Sequence, residues 1–355
     1  MARGHKIILL AASLLAFGLL MVYDASSAQG VQTFGDKYYF LKEQFKWVAM
    51  GLFAGLIAYF FDYRRLKKLA LPALVISLIL LLAVFLPGLG IHVYGASRWI
   101  NLGFMVLQPS EFAKLSLIIY LAAWLTTKEK GRLLAFLALV GLLVGLIMLE
   151  PDMGTAIVLF LTALILYFLS NNKILGMIFL LPVIFTGAVV LALRSPYRVK
   201  RLLTFFNPDA DPLGASYHVR QALIALGSGG IFGLGLGNSR QKYYYLPEAT
   251  TDSIFAIIGE EFGLIGTTVL LAVFALLFFQ ATKITLAVSD EFGKLLGMGI
   301  ISWLTVQTIV NLASIVGLIP LTGVPLPFIS YGGSALVVEL AGLGILANIW
   351  KVNKV

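Results

Sequence analysis

The chain has 355 residues, 60% of them hydrophobic and 12% charged, with a mean hydropathy of +0.95. A soluble domain carries about twice that charge fraction, so the composition excludes a soluble globule and makes lipid the main solvent. The net charge of +9 comes largely from short Lys/Arg clusters between apolar runs, the pattern of membrane topology rather than of a nucleic-acid-binding face, and a chain without cysteine has no disulfide-stapled exported loop.

Ten apolar segments can be drawn, near 7–24, 44–62, 69–87, 112–127, 133–149, 154–170, 173–193, 253–279, 293–318 and 333–350. Strand-like alternation is absent, and backbone groups in lipid must be paired within their own segment, so each is predicted to be a helix. The first follows Arg3 and Lys6, and Ala25-Ser26-Ser27-Ala28 loosely resembles a signal cleavage site. Its length of about one bilayer span, and the many similar runs after it, favour an uncleaved transmembrane helix.

The basic clusters set the orientation. Arg3 and Lys6, then Arg64, Arg65, Lys67 and Lys68, then Lys128, Lys130 and Arg132, then Lys173, Lys283, Lys294, Lys351 and Lys354 all fall on one side if ten spans are counted. Both termini are then cytoplasmic. The expected architecture is an all-α polytopic membrane protein forming one domain over 1–355, with a large extracytoplasmic loop over 194–252 between helices 7 and 8. That loop holds Phe205, Phe206, Tyr217, Ile224, Ile231, Phe232 and Tyr243-Tyr244-Tyr245, and apolar residues recur at helical spacing over 213–226. Short amphipathic helices on the outer membrane surface are expected there. Two further exported connections, 87–111 and 320–333, are too long for simple turns.

Ionisable residues at the edge of apolar spans are costly and therefore candidates for function. At the mouth of the fourth segment, Pro109 suits a helix start, Ser110 a cap, and Glu111 and Lys114 share a face at i, i+3. They form either an internal ion pair or a site in which Lys114, facing an external cavity, meets a phosphate. Arg98, beside Trp99, is either a lipid-headgroup contact or an interfacial anchor. Glu150 and Asp152, in the turn between the fifth and sixth segments, either bind a divalent cation or cap the next helix. Arg198, Lys200 and Arg201, and farther on His218, Arg220 and Gln221, offer positive charge and hydrogen bonds. They either snorkel to lipid phosphates or bracket an anionic substrate. The glycines at 227, 229, 230, 233, 235 and 237 lack the Gly-Lys-Ser/Thr ending of a P-loop and serve tight turns. Asp252 closes the large loop just before an apolar helix and is either its N-cap or a catalytic acid. Glu260, Glu261 and Glu339 are assigned to structural pairing or an aqueous cavity.

Stretches 95–103, 108–115, 150–155, 205–237, 246–266 and 325–336 together resemble the SEDS family (RodA, FtsW and SpoVE), most closely its RodA members. The resemblance covers nearly the whole chain. Two positions depart from the pattern: Glu150 stands where many members have Gln, and Ser253 follows Asp252 where Phe is frequent. The resemblance implies a peptidoglycan glycosyltransferase of the bacterial inner membrane, with its active site facing the periplasm. It would polymerise lipid II and release undecaprenyl pyrophosphate, in cell elongation and rod-shape maintenance. It places the family's essential acid on Asp252 and its Glu/Lys pair on Glu111 and Lys114. A class B penicillin-binding protein, within the elongation complex, is the implied partner. Arg98, Arg201, Arg220, Gln221 and His218 are the candidate substrate-binding residues beside that pair. Mg²⁺ or Mn²⁺ is the candidate cofactor, with Glu150 and Asp152 as candidate ligands. The competing readings are a lipid II flippase, which needs polar groups reaching both faces, and a non-catalytic scaffold of the cell-wall machinery.

Overall fold

The computed structural model describes residues 2–93, 96–103, 105–127, 132–170, 199, 205–206 and 216–354. Among them run ten helices: α1 (Ala2–Phe34), α2 (Tyr39–Phe60), α3 (Tyr63–Ala83), α4 (Pro109–Leu125), α5 (Leu133–Leu149), α6 (Met153–Leu169), α7 (Tyr217–Gly229), α8 (Ile254–Leu286), α9 (Glu291–Ile315) and α10 (Gly333–Val352). Nine predicted spans coincide with α1–α6 and α8–α10. The seventh, 173–193, lies outside the described residues, as do Lys128, Lys130, Lys173, Arg198, Lys200 and Arg201. α7 is the expected short helix of the large loop, shifted a few residues toward the C-terminus. Five helices, α1, α3, α8, α9 and α10, are long and apolar enough to cross a membrane, and α5 and α6 are shorter apolar helices.

Local chemistry sets several helix starts. The side chains of Asp62, Asp152 and Asp290 accept backbone N–H groups of α3, α6 and α9. α4 begins with Pro109 in its first turn, but the cap position is Gln108 and not Ser110. Ser110 is already inside the helix, and its buried hydroxyl has no hydrogen-bond partner. Arg132 donates to Trp124 O at 2.7 Å and so covers the C-terminal end of α4.

Connection 87–111, expected only to be more than a simple turn, carries the strands of the molecule's described part. It forms a three-stranded antiparallel sheet of β1 (Gly90–Val93), β2 (Ala96–Asn101) and β3 (Val106–Leu107), in the order β1-β2-β3. Gly90 pairs with Ile100 and Asn101 with Val106, with an irregularity between Ile91 and His92. Strands this short, one of them bulged, leave no alternating pattern for a sequence reading to detect.

The centre of the bundle is α9 and α10, whose apolar windows are 72% buried against 22% for α3. α10 lies along α2 at backbone contact. Gly51 and Gly55 of α2 form a small-x-x-x-small pair, and a Cβ on Gly344 of α10 would stand 2.2 Å from Gly55 O. The outer faces are inverted relative to a soluble protein. Leu52, Phe53, Leu56, Ile57 and Phe60 of α2, and Leu264, Ile265, Val269 and Phe279 of α8, are exposed where lipid tails would lie.

α8 is interrupted at Gly263, with φ +64° and ψ −164°, a conformation open essentially to glycine alone. The glycine-rich stretch after α7 fills the break. Leu234 N donates to Glu260 O, Gly235 N to Glu261 O, Leu264 N to Gly230 O and Ile265 N to Ile231 O, at 2.9–3.1 Å. Glu260 receives Ser239 Oγ and the N–H groups of Arg240 and Gln241. Lys242 Nζ bridges Asp24 of α1 at 2.8 Å and Glu261 at 3.0 Å. Adjacent acids in an apolar span are thus consumed in fixing the loop.

A Cβ on Gly263 would lie 2.3 Å from Gly233 N. Gly263→Ala should therefore lower the thermal unfolding midpoint in detergent, since the backbone strain alone is about 1–3 kcal/mol. Gly141→Ala, where nothing lies within 4 Å of the added carbon, should leave the midpoint unchanged or raise it.

Candidate active site

Asp252 ends the turn that leads into α8. Glu248, at φ +50°, starts that turn, and its carbonyl accepts Thr251 N at 3.2 Å and Ser253 N at 3.1 Å. The carbonyls of three consecutive residues are then held from outside the turn. Tyr331 N donates to Thr250 O at 2.8 Å, Ser330 Oγ donates to Thr251 O, and Asn311 Nδ2 donates to Asp252 O at 2.8 Å. Asp252 is 8% exposed, and its Oδ1 accepts Thr251 Oγ at 3.3 Å. It does not cap α8: the cap position is Ser253, whose side chain makes no capping bond.

The outer ends of several helices converge here. A Cβ on Gly323 would lie 3.8 Å from Asp252 Oδ2, and one on Gly154, in the first turn of α6, would lie 2.4 Å from Thr322 O. Connection 316–332 is therefore packed between the start of α6 and Asp252. Gln108, at the start of α4, donates its N–H to Ser334 Oγ of α10 and its side-chain amide to Asp152 Oδ2, both at 3.1 Å. α7 joins through its first turn, where His218 Nε2 lies 2.6 Å from Ser253 Oγ. It packs on α8 by its small-residue face, Ala222, Ala225 and Gly229, with Arg220 exposed and Gln221 half-buried. Arg201 lies outside the described residues.

Of the two readings of Glu111 and Lys114, the structure shows the internal ion pair and not a cation facing an external cavity. Their side chains are 1% exposed each, with Lys114 Nζ 2.9 Å from Glu111 Oε2. The ammonium donates to Gln307 Oε1 at 2.8 Å and lies 5.1 Å from the Trp303 ring centroid. Trp303 Nε1 donates to the same oxygen at 2.8 Å. The Gln307 amide donates in turn to Pro325 O at 3.1 Å and Glu339 Oε1 at 3.0 Å, and Glu339 Oε2 accepts Phe328 N at 3.0 Å. The pair belongs to a closed network inside the bundle. A ligand would have to displace part of that network to reach it.

Arg98 is engaged as well. It sits on β2 and donates to Glu150 O at 3.1 Å and to Pro151 O, covering the carbonyl end of α5 where positive charge complements the helix dipole. Asp152 takes the helix-cap role, Oδ1 accepting Thr155 N at 3.0 Å while Oδ2 is held by Gln108. The Glu150 carboxyl is 0% exposed, and neither oxygen has a hydrogen-bond partner. Burial, reinforced by the nearby Asp152 charge, pushes its pKa up to about 9. No group of three His, Asp or Glu that could hold a metal ion converges among the described residues.

The sequence reading passed over Gln108, Gln307, Asn311 and Ser330. The available signal was Gln307 and Asn311, two amides at i, i+4 in an otherwise apolar segment.

Two outcomes follow from the buried acids and the ion pair. In the folded chain Glu150 keeps its proton to about pH 9, whereas the unfolded chain releases it near the ordinary glutamate value of 4.5. The folded state therefore loses stability as pH rises through that window. Glu150→Gln should raise the unfolding midpoint at pH 8 and leave it unchanged near pH 4. Lys114→Met strands Glu111 in the interior and should cost about 3–5 kcal/mol, with Glu111→Gln added to it recovering part of the loss in thermal unfolding.

Comparison with known proteins agrees with this fold. The family model described as "Cell cycle protein", which unites FtsW, RodA and SpoVE, matches residues 5–355. A probable peptidoglycan glycosyltransferase FtsW of Trichlorobacter lovleyi is 41% identical over 97% of this chain and 92% of its own length. Stage V sporulation protein E of Bacillus subtilis is 39% identical over 96% and 95%. A solved peptidoglycan synthase complex that coordinates polymerization and crosslinking contains a chain with a TM-score of 0.79 and 29% identity, covering 98% of this chain and 97% of that one. The rod shape determining protein RodA of Thermus thermophilus gives a TM-score of 0.73 and 27% identity, over 98% and 96%. On a match that spans nearly its whole length, the chain belongs to the FtsW/RodA/SpoVE family, the SEDS proteins.

Proposed function

We propose that this chain is a peptidoglycan glycosyltransferase that polymerises lipid II on the periplasmic side of the bacterial inner membrane, with Asp252 as general base. The observation that carries the reading is a carboxylate at the mouth of α8, in a turn whose carbonyls at 250, 251 and 252 are held by Tyr331, Ser330 and Asn311. Full-length similarity to proteins named peptidoglycan glycosyltransferase supports the reaction class. The peptidoglycan synthase complex supports a crosslinking partner, a class B penicillin-binding protein. Relatives at 39–41% identity carry the names FtsW and Stage V sporulation protein E, so we favour a division-type role over the elongation role inferred from resemblance to RodA.

The acceptor's sugar 4-hydroxyl attacks the donor's anomeric carbon. A new C–O bond forms there as the bond to the pyrophosphate oxygen breaks, and the electron pair leaves with the pyrophosphate. The hydroxyl proton passes to Asp252. A sugar hydroxyl is far more basic than a carboxylate, so the proton moves only as the bond forms. The departing anion needs positive charge more than an acid. In this reading Arg220, exposed on α7, supplies it, together with Arg201, which belongs to the same loop by sequence. Arg98 and Lys114 act by holding the site's frame. No step is assigned to a metal. Exposed apolar faces of the helices would carry the polyprenyl tails.

Purified protein given labelled lipid II in detergent should form polymer, a medium without membrane sides that separates a polymerase from a flippase. Asp252→Ala and Asp252→Asn should each lower the rate by about 100-fold or more, the usual worth of a general base, with the unfolding midpoint retained. Polymer formation by Asp252→Asn at the wild-type rate would refute the assignment.

A further inference from the structure

The proposed base and the buried lysine are held by the same face of one helix. Gln307 and Asn311 stand one turn apart on α9, each 0% exposed. Asn311 Nδ2 donates to Asp252 O at 2.8 Å and to Val324 O at 2.7 Å. Gln307 Nε2 donates to Pro325 O, the next carbonyl along the same connection, while its Oε1 takes Lys114 and Trp303. Two carbonyls flank the Asn311 nitrogen, which fixes the amide orientation. Asn311 Oδ1 is then buried without a hydrogen-bond partner. A buried acceptor without a donor is costly and offsets part of what the two amide hydrogen bonds contribute.

We infer that Gln307 and Asn311 are positioning residues for the transfer reaction. They clamp carbonyls 324 and 325 to α9 and suspend the Asp252 main chain from the same clamp. Asn311 sets the height and orientation of the residue that carries the carboxylate. Gln307 fastens the clamp to the Glu111–Lys114 pair. The intramembrane lysine thus reaches the reaction through two amides and one stretch of backbone, without touching substrate. Connection 316–332 is the shared part: Ser330 and Tyr331 hold residues 251 and 250 from its other end. Gln44 of α2 donates to Ser330 O at 3.2 Å and anchors that end in turn.

The inference rests on Asp252 as the base, and the test separates the two ideas. Initial polymerisation rates in detergent, with lipid II varied, give kcat and KM for Asn311→Asp, Gln307→Glu and Asp252→Asn, with unfolding midpoints recorded in parallel. Asn311→Asp keeps the shape and replaces the donor by an acceptor. Its kcat per folded molecule should fall by about 10-fold or more with KM within about 2-fold, as expected when a reacting group is misplaced by a fraction of an ångström. Gln307→Glu keeps the acceptor for Lys114 and should act in the same direction. Activity in Asp252→Asn would sink the functional reading itself. An inactive Asp252→Asn beside folded Asn311→Asp and Gln307→Glu at wild-type kcat overturns only the positioning role, as does a rate that merely follows the folded fraction. Should Asn311→Asp not purify folded, Asn311→Ser is used with a nitroxide on Tyr245→Cys, in a chain that has no other cysteine. Greater label mobility in Asn311→Ser supports the inference, and unchanged mobility overturns it.

Discussion

Lipid offers no hydrogen bonds, and every irregular stretch of backbone sunk among the helices must find its partners in protein. Connection 316–332 carries much of that demand. Its carbonyls at 324, 325 and 330 are met by the side-chain amides of Asn311, Gln307 and Gln44. Its own Ser330 hydroxyl and Tyr331 amide satisfy the turn before α8. The candidate active site is built where this requirement is densest. Side chains placed to quench buried carbonyls also fix the geometry around Asp252.

Charge in the bundle follows the same economy. Lys114 answers Glu111, and Lys242 answers Asp24 and Glu261. Glu260 is satisfied by loop hydroxyl and N–H groups without a cation. Such closed arrangements hold loops and helices in one register, because removing either member strands the other in a poorly solvating interior. Glu150 is the exception, an acid accommodated as its neutral form.

Much of the architecture was readable from apolar run lengths and basic clusters, because span length is a property of the bilayer itself. The short strands at 90–107 were not readable, since they leave no periodicity. Asp252, Asp152 and the Glu111–Lys114 pair stood out because an ionisable group beside lipid is conspicuous. Direction of engagement was the harder part. Arg98 grips the carbonyl end of α5, and Lys114 faces an amide inside the bundle, because tertiary partners 52 and 193 residues away accept their hydrogen bonds. Gln307 and Asn311 carry no charge and left only a faint mark in an apolar segment.

The break at Gly263 divides α8 into two helical pieces. Beyond it, residues 264–286 expose an apolar flank to lipid and bury the opposite face, Leu270, Phe274, Leu277 and Ala281, in the bundle. Above it, residues 254–262 are stitched to the glycine-rich loop, and through Lys242 to α1. The gap in the ladder of main-chain bonds is bridged by that loop, whose carbonyls at 230 and 231 take the N–H groups of residues 264 and 265 that the break would otherwise leave bare in lipid.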